Sequence, residues 1–167
     1  MISNLTILKN LIRINRLYST ASSPIETLLY AKLGIIELCG WTEEAMDAIV
    51  LGASRRSLTT QAHRVYIENQ IVKRTYGFEY EAHFRKMLMG VIGLKGVQDL
   101  EANVNRAFFD PMCGTLNAIK PNRNRHSHTY LKATMTIDSP SVTIQHCRTI
   151  YAGLRDIDNV LRQLTQA

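Results

Sequence analysis

Residues 138–164 read DSPSVTIQHCRTIYAGLRDIDNVLRQL, and this stretch decides the fold class. Asp138-Ser139-Pro140 has the form of a helix start, because a short polar residue caps the first amide groups and proline fits the first helical position. Apolar side chains then recur with helical spacing, at Cys147, Ile150, Tyr151, Leu154, Ile157, Val160, Leu161 and Leu164. The pattern predicts a long amphipathic helix that closes the chain.

The segments before this helix have the same period. Residues 4–17 place Leu5, Leu8, Leu11 and Ile12 on one side, which predicts an ordinary first helix rather than an organellar transit peptide. A second helix is expected to begin at Pro24, after a serine cap, and to end at Gly40. Thr42 is expected to cap a third helix, whose first turn carries two glutamates.

Further helices are predicted from Thr59 to Tyr76 and from Phe84 onward, with a bend among the glycines at 90, 93 and 96. Pro111 is expected to interrupt the pattern and Pro121 to end it. The sequence therefore predicts an all-α fold, an up-and-down helical bundle that forms a single domain over residues 1–167. An irregular basic insertion, roughly 121–138, is expected before the last helix.

Composition fits a globular protein, since 46% of the 167 residues are hydrophobic and 20% are charged. The three cysteines are widely spaced and form no metal-ligand pattern, which favours a reducing, cytoplasmic location and small buried thiols. No apolar run approaches the roughly 20 residues of a membrane span, so no membrane partner is expected. No cofactor is predicted.

The formal net charge is +6, and its distribution points to a polyanionic partner. No aspartate or glutamate occurs between residues 111 and 137. That stretch contains a group of cationic and titratable side chains: Lys120, Arg123, Arg125, His126, His128 and Lys132. Such a group predicts contacts to the phosphates of RNA.

RNA cleavage without a metal needs a base for the ribose 2′-OH and a cation for the charge on phosphorus. Histidine suits proton transfer near neutral pH, and the planar guanidinium of arginine donates two parallel hydrogen bonds to a phosphate. If the segment is helical, Asn124 and His128 share a face, whereas Arg123 lies about 140° from His128. The spacing therefore permits a site formed by these three residues.

Arg123-Asn124, followed by His128, resembles the motif of the HEPN superfamily, an arginine separated from a histidine by four to six residues. Two segments are similar to the RiboL-PSP-type HEPN group in particular: GFEYEAHFRKMLMGVIG at 77–93 and LNAIKPNRNRHSHTYLK at 116–132. The resemblance implies a four- or five-helix bundle that forms a homodimer, with two motifs facing each other at the interface.

The resemblance also implies a metal-independent endoribonuclease that leaves a 2′,3′-cyclic phosphate and acts as a toxin or defence effector. His128 would be the acid/base, Arg123 would hold the scissile phosphate, and Asn124 would orient the phosphate or the histidine. Ser127 departs from the small apolar residue that the family usually has before its histidine, so packing behind the motif is expected to differ.

Secondary substrate contacts are assigned to Lys120, Arg125, His126 and Lys132. Tyr130 extends the motif to the form that, in one toxin branch, a partner nucleotidyltransferase adenylylates. The resemblance thus implies that an antitoxin or nucleotidyltransferase acts on this chain. A tyrosine that only packs or caps is the other reading of Tyr130.

Several plainer readings stay open at this point. His126 and His128 are spaced as a metal pair, but no carboxylate or cysteine accompanies them, so no metal site is predicted. The arginines can also belong to a solvated basic loop of a non-catalytic HEPN module, or of a helical dimerisation protein.

Glu37 is either a buried partner of the basic motif or exposed. His63, His83 and His146 are expected to be ordinary surface or packed histidines.

Overall fold

The computed structural model describes residues 1–127, 130 and 136–165, and for 124–127 it describes the backbone alone. Within these ranges the chain forms six α-helices: α1 (Leu5–Ser19), α2 (Pro24–Ser57), α3 (Gln61–Tyr66), α4 (Arg85–Asn103), α5 (Arg106–Ser127) and α6 (Pro140–Leu164). Short π- and 3-10 turns lie between α3 and α4, at Ile67–Ile71, Val72–Arg74 and Tyr80–Phe84. The predicted all-α class is confirmed.

The helices pack around α2 and α6, which together contact α1, α4 and α5. α1 runs antiparallel to α2, because the Trp41 indole donates to the Ser3 carbonyl while Gly34 lies beside Ile14. α5 runs antiparallel to α6, since Asn105 contacts Asp156 and Asn122 contacts Asp138. α2 and α6 are parallel: Gly34 lies beside Pro140, and Arg56 contacts Thr165.

The predicted break at Gly40 is wrong, because α2 is one helix of 34 residues, roughly 50 Å long. Thr42 does not cap a helix; it is fully buried, and its hydroxyl donates to the Leu38 carbonyl at 2.8 Å. The buried face continues unbroken through the region, from Ile35 to Ile49. Packing of that face outweighs the roughly 1 kcal/mol that a glycine costs inside a helix.

The predicted stops at Pro111 and Pro121 are also wrong, because α5 runs through both prolines to Ser127. Each proline removes one hydrogen bond to the carbonyl four residues earlier. Those carbonyls belong to Ala107 and Asn117, which are exposed, so water can solvate them. The expected irregular insertion at 121–138 is therefore corrected: its first part, 121–127, is the end of a helix.

The segment between α3 and α4 is less regular than the predicted helix from Thr59 to Tyr76. α-Helical geometry begins at Gln61 and ends at Tyr66. A π-helical turn and then a 3-10 turn continue from Ile67 to Arg74. Gly77 then adopts φ +137°, a conformation that L-residues with side chains rarely adopt. The bend predicted among the α4 glycines is confirmed at Gly93, which has φ +69°.

Two expectations from composition can be compared with the structure. Cys39 and Cys147 are buried and Cys113 is half-buried, all as free thiols, so the prediction of packed cysteines is confirmed for the first two. Burial raises the pKa of the Cys147 thiol to about 11. Within the described ranges, no helix has both the length and the apolar character needed to cross a bilayer.

Candidate active site

Arg123 lies at the end of the buried stripe of α5. That stripe faces the core with helical spacing, at Phe109, Met112, Leu116 and Ile119. Arg123 follows Ile119 by about one turn, so its side chain leaves from the same side of the helix. The packing of α5 against α2 and α6 therefore directs Arg123 toward α2.

The Arg123 guanidinium meets a carboxylate of α2. Its Nη2 donates to Glu43 Oε1 at 3.0 Å, and each of the two side chains is 33% exposed. Glu37, which the sequence leaves open as a buried partner of the motif, is half-buried and accepts a hydrogen bond from Asn10 at 3.3 Å. Glu43 is therefore a carboxylate partner of Arg123 that the sequence does not predict.

Glu43 belongs to a row of titratable groups on α2, with Cys39 one turn before it and Asp47 one turn after. Burial raises the pKa of the Cys39 thiol to about 12, and the charge of Arg123 partly opposes this rise. Burial also raises the pKa of the Asp47 carboxyl to about 6, with the charges of Glu43 and Glu44 adding to the effect. Arg123 therefore lies beside an acidic and partly desolvated side of α2.

Lys120 and Arg123, one helical turn apart on α5, line a single cavity of about 130 Å³. The other walls come from the segment before α4. They consist of the loop residues Tyr76, Gly77, Phe78 and Glu79, and of His83 in the turn Tyr80–Phe84. Lys120 Nζ lies 2.5 Å from Glu79 Oε1 in an ion pair. Two of the predicted site residues thus share a cavity, and a carboxylate orients each of them.

His83 is the histidine that the structure places in this cavity. Its Nδ1 is buried and lies 3.6 Å from Glu79 Oε2, too far for a hydrogen bond. Its side chain is 25% exposed. Neither residue was assigned to the site from the sequence, although their spacing of one helical turn was an available signal.

The remaining predicted site residues have different positions in the structure. Asn124, Arg125 and His126 lie in the last turns of α5, with only their backbone described. His128 and Lys132 lie outside the described residues. Tyr130 is described and is 76% exposed. Among the described residues, no group of three or more histidine, cysteine or acidic side chains is arranged to hold a metal ion.

Comparisons with known proteins give no relative for this chain. No family model matches it, and neither the curated proteins nor the solved structures include a significant match. The class that fold and site define is accordingly a broad one: an all-helical protein with a small cavity lined by lysine, arginine and histidine.

Proposed function

We propose that this chain is a metal-independent endoribonuclease of the HEPN type, which cleaves RNA by attack of a 2′-OH and leaves a 2′,3′-cyclic phosphate. The observation that carries the proposal is that Arg123 and Lys120 line one cavity with a histidine. Cleavage of RNA without a metal needs cations that stabilise the charge on the phosphate and a group that transfers a proton. Arg123 and Lys120 are such cations, and a histidine is such a group.

The proposed roles follow the motif. Arg123 binds the scissile phosphate and stabilises the charge that develops on it, because a guanidinium matches phosphate with a planar fork. His128 moves the proton of the 2′-OH, and Asn124 orients the phosphate or the histidine. Lys120, Arg125, His126 and Lys132 bind neighbouring phosphates.

Glu43 supports the role of Arg123 by holding its guanidinium at the cavity. A guanidinium has several N–H donors and can bind a carboxylate and a phosphate at once. The Arg123 side chain is 33% exposed, which supports access by an RNA phosphate. Glu43 thereby acts as a positioning residue for Arg123.

We propose a homodimer as the active form, on the basis of an apolar stripe on α2. Ile25, Leu29, Leu33 and Ile36 are between 38% and 48% exposed and follow one face of the helix. Glu43 lies on the same face two turns after Ile36. A second copy that covers this stripe would lie next to the Arg123 site, and exposed apolar patches of this kind mark interfaces.

A toxin or defence role belongs to the same proposal. An antitoxin or a nucleotidyltransferase would then control the enzyme, and Tyr130 is the residue on which modification would act. The residue is 76% exposed, which supports access by a modifying enzyme.

A non-catalytic RNA-binding or dimerisation module is the second candidate. The specific observation in its favour is that Lys120 and Arg123 both pair with carboxylates, as the members of a structural ion-pair network would. The carbonyls at the C-terminal end of α5 also favour nearby cations, which accounts for basic residues there without any catalysis.

The deciding experiment is RNA cleavage in excess EDTA by the wild type and by the variants Arg123→Ala and His128→Ala. We expect wild-type cleavage to persist and to produce 2′,3′-cyclic ends, with about a 10²- to 10⁴-fold loss in His128→Ala. Arg155→Ala and His63→Ala are matched controls, because both residues are exposed helical positions outside the cavity. If the Arg123 and His128 variants cleave as fast as the controls, the proposal is wrong.

A further inference from the structure

We infer that His83, positioned by Glu79, is a second proton-transfer residue of this site, which protonates the 5′-oxygen that leaves when the RNA chain is cut. The inference rests on the proposed endoribonuclease activity and adds the group that assists departure of the product. It concerns a residue outside the Arg123–His128 motif.

The first support is the way the imidazole is fixed. A Cβ placed on Gly77 would lie 2.6–2.9 Å from three atoms of the His83 ring, so the ring packs directly against the Gly77 backbone. Gly77 has φ +137°, and this backbone conformation together with the close approach requires glycine. The loop thus holds one side of the ring, while Phe78 anchors the loop as a 3% exposed core residue.

The second support is the asymmetry between the two ring nitrogens. Nδ1 is buried with no hydrogen-bond partner, 3.6 Å from Glu79 Oε2, and Nε2 is not among the atoms in that state. Glu79 itself is fixed, because its other oxygen pairs with Lys120 and its backbone carbonyl accepts from the His83 amide at 3.1 Å. The carboxylate beside Nδ1 and the Gly77 backbone fix the orientation of the ring, and Nε2 is the nitrogen that would meet the substrate.

The third support is the size and charge of the cavity. The cavity is small, with a volume of about 130 Å³, which suits a single phosphate group of an RNA chain. Its wall carries the cations Lys120 and Arg123 and one carboxylate, Glu79, with Glu43 behind the guanidinium. A phosphodiester bound by Arg123 is therefore in the same small space as His83.

The proposed step is balanced in atoms and electrons. The 2′-oxygen forms a bond to phosphorus and gives its proton to His128. The bond between phosphorus and the 5′-oxygen breaks, and its electron pair stays on that oxygen. His83 acts as the acid and gives this oxygen a proton, so the products are a cyclic phosphate and a free 5′-hydroxyl.

A bridging sulfur substitution tests the step directly. First, the linkage that the wild type cleaves fastest in an all-oxygen RNA is located; then its 5′-oxygen is replaced by sulfur. An alkoxide is a strong base and needs a proton in order to leave, whereas a thiol has a pKa of about 8.5 and its sulfur leaves unprotonated. We expect His83→Ala to lose about 10²- to 10⁴-fold on the oxygen substrate and to cleave the sulfur substrate within a few-fold of wild type.

Matched variants keep the test decisive. His83→Gln and Glu79→Gln retain most of the packing, and both are expected to show a defect on the oxygen substrate that the sulfur substrate relieves. His63→Ala, at an exposed position of α3, is expected to behave as wild type on both. Arg123→Ala is expected to be slow on both substrates. A better leaving group does not replace the guanidinium that binds the phosphate and stabilises its charge.

The outcomes separate the two proposals. If Arg123→Ala cleaves the oxygen substrate more slowly than wild type while His83→Ala cleaves it at the wild-type rate, the proposed role of His83 is wrong and the proposed endoribonuclease activity is retained. The role of His83 is also wrong if all His83 and Glu79 variants are equally slow on both substrates. If the wild type cleaves neither substrate, both proposals fall together.

Discussion

Arg123 Nη2 donates to Glu43 Oε1 at 3.0 Å across 80 residues of sequence, joining the end of α5 to the middle of α2. Both side chains are one-third exposed, so water still screens the pair. The contact therefore fixes where the guanidinium lies more than it stabilises the fold.

A double-mutant cycle measures this pair. Glu43→Gln, Arg123→Gln and the double variant are expected to give a coupling of about 0.2–1 kcal/mol in the free energy of unfolding by urea. The coupling should weaken in 1 M salt, where the Debye length falls to about 3 Å. The more exposed pair Lys95–Asp99, at 2.6 Å on one face of α4, serves as the reference cycle. A coupling of about 3 kcal/mol or more that salt does not change would contradict this reading.

Asp47 is expected to make stability depend on pH. Burial raises the pKa of its carboxyl from 3.8 to about 6, with Glu43 and Glu44 contributing. Between about pH 4 and 6 the folded state then binds more protons at this position than the unfolded state, so its contribution to the unfolding free energy falls as pH rises. Asp47→Asn removes this pH dependence. Measured by urea unfolding, the free energy of unfolding of the variant should rise relative to that of wild type between pH 4 and 7. A constant difference between the two proteins would refute the expectation.

Gly153 is expected to tolerate no side chain. A Cβ there would lie 2.5 Å from the Cβ of Met112 and 2.6 Å from its sulfur, and Met112 is fully buried where α5 crosses α6. Gly153→Ala should therefore destabilise by about 1–3 kcal/mol. Gly114→Ala is the opposite control, since nothing lies within 4 Å of that Cβ; it should stabilise the helix by roughly 0.5–1 kcal/mol. Equal effects in urea unfolding would show that the α5–α6 spacing is looser than described.

The apolar stripe of α2 gives a prediction about assembly. Leu29→Glu combined with Leu33→Glu places charge where a second copy would pack, so sedimentation should show a dimer for wild type and a monomer for the double variant. Leu94→Glu is the control, because Leu94 is 63% exposed on α4, away from the stripe. A monomeric wild type would remove this interface from the proposal.

The parts of the fold that were predictable are those with local signals. The start of α6 at Pro140 follows from the residues around it, and the bend at Gly93 follows from a glycine-rich stretch. Gly40, Pro111 and Pro121 carry equally strong local signals for ending a helix, yet each lies inside one. Around Gly40 and Pro111, buried faces on both sides outweigh the local cost, and that burial is a property of the whole bundle. At Pro121 the carbonyl left without its hydrogen bond belongs to the exposed residue Asn117.

The candidate site divides in the same way. The sequence predicts Arg123 and Lys120 as site residues because they lie in a stretch without acidic residues, and Arg123 also belongs to the arginine–histidine motif. Glu43 was not, since no local pattern links it to a residue 80 positions later. His83 and Glu79 had a usable signal in their spacing, but only the cavity associates them with Arg123.

The parallel arrangement of α2 and α6 has a consequence for how the chain folds. The α1–α2 and α5–α6 pairs are antiparallel neighbours in sequence, so each can form early by closing a short connection. Contacts between α2 and α6, such as that of Arg56 with Thr165, join residues 109 apart. We therefore expect the two hairpins to dock after each has formed, and this docking to be slower than helix formation. The pairing of Arg123 with Glu43 also links α5 to α2, so we expect it to form in the same step.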